Sequence, residues 1–214
     1  MAAASADQST ALLIQFAKAP VLGTVKTRLT PPLSEHQALN LHLSLMEYTA
    51  QILLASKLGD VELWMSERFI HPVIESLQQQ GLSRIAIQAG ANLGERMCAA
   101  LTTGLTQADK VVLVGSDCPG IDSGYLEAAV AALEGADVVL GPASDGGYVL
   151  VGLSRCCPEL FAGIEWGSEK VLQQTLLRIE NLGWSVGLLE TRDDIDRPDD
   201  LELLSGFGIN ISEL

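Results

Sequence analysis

Positive charge is scarce in this chain. Of 214 residues only 13 are Lys or Arg, against 27 Asp or Glu, a formal net charge of −14. Such a surface repels nucleic acid and anionic membranes, which excludes both as expected partners. No apolar run approaches the ~18 residues of a membrane span. Histidine is scarcer still: His36, His42 and His71 all fall in predicted helices or at their edges. With no G-x-S-x-G elbow, a Ser-His-Asp hydrolase is disfavoured, and His36 and His42 read as surface or interface side chains on the first helix. The four cysteines, Cys98, Cys118, Cys156 and Cys157, lack zinc-ligand spacing, and an adjacent pair makes a poor structural disulfide. Reduced thiols in a cytoplasmic protein fit best. The first ten residues, MAAASADQST, have neither a basic nor an apolar segment and read as a frayed leader.

What is present alternates. Ala11–Ala17, 61–65, 84–89, Val111–Val114, 137–140, 148–151 and 184–189 read as strands, separated by helix-forming segments. Ser34 with Gln37 forms a capping box ahead of a long helix reaching about Ser56, with Leu39, Leu43, Met46 and Leu53 on its buried side. Leu93, Met97, Leu101 and Leu105 mark one stripe of another helix. Ser168 is expected to cap a helix ending near Asn181. With no composition break or repeat, residues 11–214 read as one three-layer α/β domain with a mostly parallel sheet.

Two stretches carry chemistry. Val111-Val112-Leu113-Val114 is a strand buried on both faces, and it breaks into Gly115-Ser116-Asp117-Cys118-Pro119. Asp117 therefore stands just past the carboxyl end of a central strand, where open α/β sheets bind ligands; capping the following turn would use the same residue type. The second stretch follows the first strand. Lys18, Lys26 and Arg28 gather in a loop punctuated by Pro20 and Gly23, three of only 13 cations. A loop of this kind offers backbone N–H groups and fixed charge to phosphates, although a solvated basic loop would read the same. It is not a Walker A loop, because no Gly immediately precedes Lys26. A third stretch, Ser144-Asp145-Gly146-Gly147-Tyr148, has the chemistry of a hairpin turn. The acidic run Asp193, Asp194, Asp196, Asp199 and Asp200 opens a final helix, where its dipole favours carboxylates. A nucleoside phosphate bound with Mg²⁺ would use a basic loop, a strand-end carboxylate and a distal acidic run together.

Five ordered segments extend the reading: FAKAPVLGTVKTRL (16–29), LGERM (93–97), GSDCPG (115–120), GPASDGGYVLVG (141–152) and DIDRPDDL (194–201). Together they resemble bacterial glycosyltransferase-like proteins of the nucleotide-diphospho-sugar transferase superfamily, the arsenosugar-biosynthesis type. The 2-phospholactate guanylyltransferases are similar as well. The resemblance implies a GT-A fold and a nucleotide or nucleotide-sugar substrate with a small acceptor, with homo-oligomer formation left open. By position it implies nucleotide contacts at Lys18, Gly23, Lys26, Arg28 and Ser116. It places Mg²⁺ (or Mn²⁺) on Asp117 and Asp196, and catalytic roles on Lys26 and on Asp145 as acceptor base or anchor. Arg197 stands where the related nucleotidyltransferases carry Thr, and no D-x-D surrounds Asp117. Sugar transfer is the expected reaction. Nucleotidyl transfer with release of pyrophosphate is the alternative, and a non-catalytic nucleotide-binding protein is the third.

Overall fold

The computed structural model describes residues 11–210; the expected leader lies outside them. Seven strands form one sheet: β1 (Ala11–Ala17), β2 (Gly59–Met65), β3 (Arg84–Ile87), β4 (Lys110–Gly115), β5 (Val138–Pro142), β6 (Tyr148–Leu153) and β7 (Val186–Leu188). Their spatial order is β3-β2-β1-β4-β6-β5-β7. Only β6 runs against its neighbours, pairing antiparallel with both β4 and β5. The sheet is thus mostly parallel, as the alternation of elements requires.

Helices α1 (Glu35–Ser56), α2 (Pro72–Gln80) and α4 (Ser123–Ala132) cover one face, while α3 (Leu93–Gly104) and α5 (Val171–Asn181) cover the other. β4 shows why its run is apolar throughout. Val112 and Val114 enter the first core, Val111 and Leu113 the second. At roughly 1.5–3 kcal/mol per fully buried aliphatic side chain, such two-sided burial fixes β4 at the centre of the sheet.

A third cluster decides the position of the site. Leu29 and Leu33 of the basic segment pack with Ala38, Leu41 and Leu45 of α1 and with Ile195, Leu201 and Leu204 of the C-terminal segment. The acidic run is therefore anchored beside the basic loop by the apolar residues set between its carboxylates.

That cluster also widens the buried side of α1. The capping box at Ser34 and Gln37 forms as expected. Leu39 and Leu43 are only half-buried, however, and the covered residues include Ala38, Leu41, His42, Leu45, Met46, Thr49, Ala50 and Leu53. One helix here faces both the sheet and the C-terminal segment, which a single-stripe reading does not capture. His42, expected at the surface, is 3% exposed. Leu93 stands 45% exposed at the head of α3, while Met97 and Leu101 are buried. Ser168 does not cap α5; its hydroxyl accepts the Lys170 N–H at 3.3 Å in the turn before the helix. The final helix, Pro198–Phe207, is a 3₁₀ helix.

Candidate functional site

The chain runs from β1 outward through β2 to β3, then returns to place β4 on the other side of β1. The sheet therefore has its switch point between β1 and β4, and the crevice outside their carboxyl ends is where open α/β sheets bind ligands. The two loops singled out in the sequence leave from these two strand ends.

Lys26 is the centre of the arrangement. Its backbone is left-handed (φ 51), rare for a residue with a side chain, and its side chain is only 3% exposed. The ammonium lies 2.7 Å from Asp117 Oδ1 and donates to the Ile195 carbonyl. Asp117 Oδ1 is sealed against Lys26, yet the side chain as a whole is 45% exposed, so its outer edge faces solvent. The Asp117 carbonyl accepts the Ile195 N–H at 2.8 Å. Strand-end carboxylate, buried lysine and C-terminal segment are thus one unit.

The segment that follows β7 is strapped across the sheet edge. Arg192 Nε donates to the Gly120 carbonyl at 3.1 Å, and its guanidinium lies over the Tyr125 ring. The Tyr125 hydroxyl donates to the Glu190 carbonyl at 2.8 Å. These contacts deliver Asp194 and Asp196 to the crevice on either side of buried Ile195. Asp196 is paired with Arg28. Asp200 accepts the N–H groups of both Asp196 and Arg197, at 2.9 and 2.6 Å, which fixes the Asp196 backbone. Asp194 is the perturbed group. Burial, then the nearby Asp117, push its carboxyl up to about 7; Lys26 opposes this, while Asp145 and Asp196 add to it.

Asp145 lies in the turn joining β5 to antiparallel β6, so the hairpin reading of Asp-Gly-Gly holds. Its Oδ1 accepts the Gly147 N–H at 2.9 Å. The same residue lines a cleft of about 880 Å³ shared with Arg28, Lys170, Asp194, Asp196 and Arg197. Gly146 (φ +89) allows the turn to approach the chain before α5: a Cβ there would lie 2.2 Å from the Glu169 carbonyl oxygen. Gly146→Ala combines positive-φ strain with a backbone clash, and a loss of about 2–5 kcal/mol in urea denaturation is expected.

Lys18 and Gly23 sit exposed in the loop after β1, Gly23 at φ +74. Ser116 is placed differently from its expected role. It is 3% exposed, and its hydroxyl donates to the Phe16 carbonyl at 2.9 Å while accepting from Gln15, so that hydroxyl is already engaged inside the protein. Three residues escaped the sequence reading. His42 bonds the Lys18 carbonyl at 3.0 Å, and burial holds its imidazole below the usual histidine range. Asp194 was one acid among many. Gln15 was legible in principle, as the one polar residue in a strand reading ALLIQFA.

Residues 49–168 match the family model described as an uncharacterized protein conserved in bacteria, DUF2064. The chain belongs to this family. Among solved structures, a proposed nucleotide-diphospho-sugar transferase of Desulfovibrio desulfuricans G20 is 32% identical. The match covers 92% of this chain and 87% of that one, at a TM-score of 0.82. Two more distant structures share the fold. One is CMP:2-keto-3-deoxy-manno-octonic acid synthetase in complex with CTP (12% identity, 96% and 100% coverage, TM-score 0.59). The other is 4-diphosphocytidyl-2C-methyl-D-erythritol synthase of Anaerococcus prevotii DSM 20548 (10% identity, 94% and 98% coverage, TM-score 0.60). No curated protein matches the sequence. The DUF2064 chain thus has the α/β fold of the nucleotide-diphospho-sugar and nucleotidyl transferases. Among its described residues no helix is long and apolar enough to cross a membrane.

Proposed function

We propose that this protein is a glycosyltransferase-like enzyme that binds a nucleotide-sugar with Mg²⁺ or Mn²⁺ and passes the sugar to a small acceptor. The observation that carries the reading is the pair of buried Lys26 and open-edged Asp117 at the β1/β4 switch point, joined through Ile195 to carboxylates lining a cleft of about 880 Å³. The relative of known structure from Desulfovibrio supports it at the level of the transferase class. The arsenosugar-biosynthesis type is the finer assignment that the five sequence segments favour.

Among the described residues no three His, Cys, Asp or Glu side chains form a closed metal centre. Mg²⁺ does not need one, because it takes one or two carboxylates and completes its shell with phosphate oxygens and water. Asp117 with its open edge and Asp196 beside the cleft are donors of the right kind, hard oxygen only. Each already has a cation beside it, Lys26 and Arg28 respectively, so the metal would enter with the phosphates rather than alone. Bound there, it would supply charge stabilisation to the diphosphate leaving group.

The chain's own groups do the rest. Lys18 and Arg28, both exposed, hold phosphate oxygens at the mouth of the basic loop. Lys26 keeps its ammonium at the metal carboxylate and limits the repulsion that four carboxylates would otherwise exert on a phosphate. Asp145, across the cleft, holds the acceptor hydroxyl and takes its proton. Its contact with the Gly147 N–H fixes the carboxylate for that task.

Nucleotidyl transfer is the second reading, and one observation favours it. A D-x-D pair would need a second Asp two residues from Asp117, and Gly115 and Pro119 stand there, so Asp117 is a single strand-end carboxylate. The two reactions differ in what leaves. Incubated with Mg²⁺ and a panel of nucleotide-sugars and acceptors, the protein is expected to release nucleoside diphosphate or monophosphate, with no pyrophosphate from triphosphates. Asp145→Asn should lower that release by about 100-fold, the usual scale of a lost general base. Pyrophosphate formed from a triphosphate, and kept in Asp145→Asn, would overturn sugar transfer in favour of nucleotidyl transfer. Tight nucleotide binding without release from either class would leave a binding protein.

A further inference from the structure

Gln15 is an amide where an aliphatic side chain would be expected. It sits in β1 with no exposed surface, between Ile14 and Phe16. A buried amide costs free energy unless it is bonded, and this one is bonded in a specific direction. Its Nε2 donates to the Met46 carbonyl of α1 and to Ser116 Oγ, both at 2.9 Å. The Ser116 hydroxyl passes the chain on, donating to the Phe16 carbonyl at 2.9 Å. Gln15 Oε1, by contrast, has no hydrogen-bond partner among the described residues. The amide therefore retains part of its desolvation cost, and a methionine of similar size would fill the space without it. What the amide adds is geometry.

The location gives that geometry a purpose. The β1–β4 ladder ends at the pair Phe16 and Gly115. Ser116 is the first residue past it, and its side chain continues the strand-to-strand linkage that the backbone no longer makes. Asp117 comes next. Its carbonyl holds the Ile195 N–H, and its carboxylate meets the Lys26 ammonium.

We infer that Gln15 and Ser116 are positioning residues, which clamp the end of β4 to β1 and α1 and so hold Asp117 against Lys26 without touching the ligand. The inference rests on Asp117 being the site carboxylate, but the clamp itself can be tested on the free protein. Native-state hydrogen exchange reads the Ile195 amide, whose bond to the Asp117 carbonyl reports directly on that turn, with the amide of buried Ile179 in α5 as an internal control. In Ser116→Ala and in Gln15→Met, Ile195 is expected to exchange at least tenfold faster while Ile179 is unchanged. Calorimetric Kd values for UDP and CTP with Mg²⁺ should rise about tenfold in the same variants. Unchanged exchange at Ile195, or equal acceleration at Ile195 and Ile179, would overturn the clamp, since the variants would then have no local effect. A tenfold change at Ile195 with wild-type Kd values would overturn the positioning role. If the wild-type protein binds neither nucleotide, the proposed function fails instead, and the exchange measurement still decides the clamp. Should Gln15→Met not fold, Ser116→Ala decides alone.

Discussion

Lys26→Ala is expected to weaken Mg²⁺-dependent nucleotide binding by at least about 100-fold, roughly 2.7 kcal/mol, in calorimetric titration. Few substitutions in this chain remove as much. The acidic surface leaves the crevice dependent on its few local cations, and Lys26 is the one buried among the carboxylates. Without it Asp117 loses its partner at 2.7 Å, the Ile195 carbonyl loses a charged donor, and Asp117 and Asp194 repel each other unopposed. Lys26→Arg should fail almost as badly, because a planar guanidinium cannot fit where an ammonium is enclosed at 3% exposure. The backbone supplies a control. At φ 51 an alanine keeps the left-handed strain and a glycine relieves it, so Lys26→Gly should resist urea better than Lys26→Ala by about 1 kcal/mol. Both should bind equally poorly. Nucleotide affinity retained in either variant would remove Lys26 from the site.

Wild-type protein should lose stability to urea as pH rises from about 4 to about 7, and Asp194→Asn should abolish that loss. Burial, then the neighbouring Asp117, disfavour the charge of Asp194 and push its folded carboxyl up to about 7, from an ordinary value of 3.8. A raised carboxyl pKa means that the native state holds the proton more tightly than the unfolded chain does. Its contribution is complete at low pH, shrinks above the unfolded value, and is gone once pH exceeds about 7. His42 acts in the opposite sense. Burial lowers its pKa, so its contribution is present above the ordinary histidine value of 6.5 and is lost as pH falls below it. His42 titrates alike in both proteins, so the difference between wild type and Asp194→Asn from about pH 4 to about pH 7 measures the Asp194 effect directly. At pH 8 the variant should be more stable than wild type by on the order of 1 kcal/mol or more. Parallel stability curves for the two proteins would show that Asp194 is solvated and stands apart from the cluster.

The carboxylate at 194 also shows where the sequence stops being informative. Asp193, Asp194, Asp196, Asp199 and Asp200 are chemically alike and lie within eight positions, so nothing local separates them. Their roles diverge in three dimensions. Asp200 holds two backbone N–H groups, Asp196 meets Arg28, Asp194 is pressed toward Asp117, and Asp199 is exposed. The same holds for Ser116, which shares a motif with Asp117 but points inward, and for His42, which shares a helix with exposed His36.

Local periodicity and punctuation were enough for the strands, the capping box at Ser34, the central place of Val111–Val114 and the loop carrying Lys26. Each rests on neighbours in the chain: alternation, four apolar residues in a row, a proline or glycine after a strand. They were enough, too, to put a cation-bearing loop and Asp117 at strand ends. Only the tertiary structure decided that those ends adjoin, because strand order is fixed by which faces pack, and β4 returning beside β1 makes the switch point. Only it brought Ile195 onto Asp117 across 78 residues of chain, through a third apolar cluster whose members are scattered from Leu29 to Leu204. Burial, and with it the choice of which carboxylate is perturbed and which lysine is enclosed, depends on that long-range packing, which no window of sequence contains.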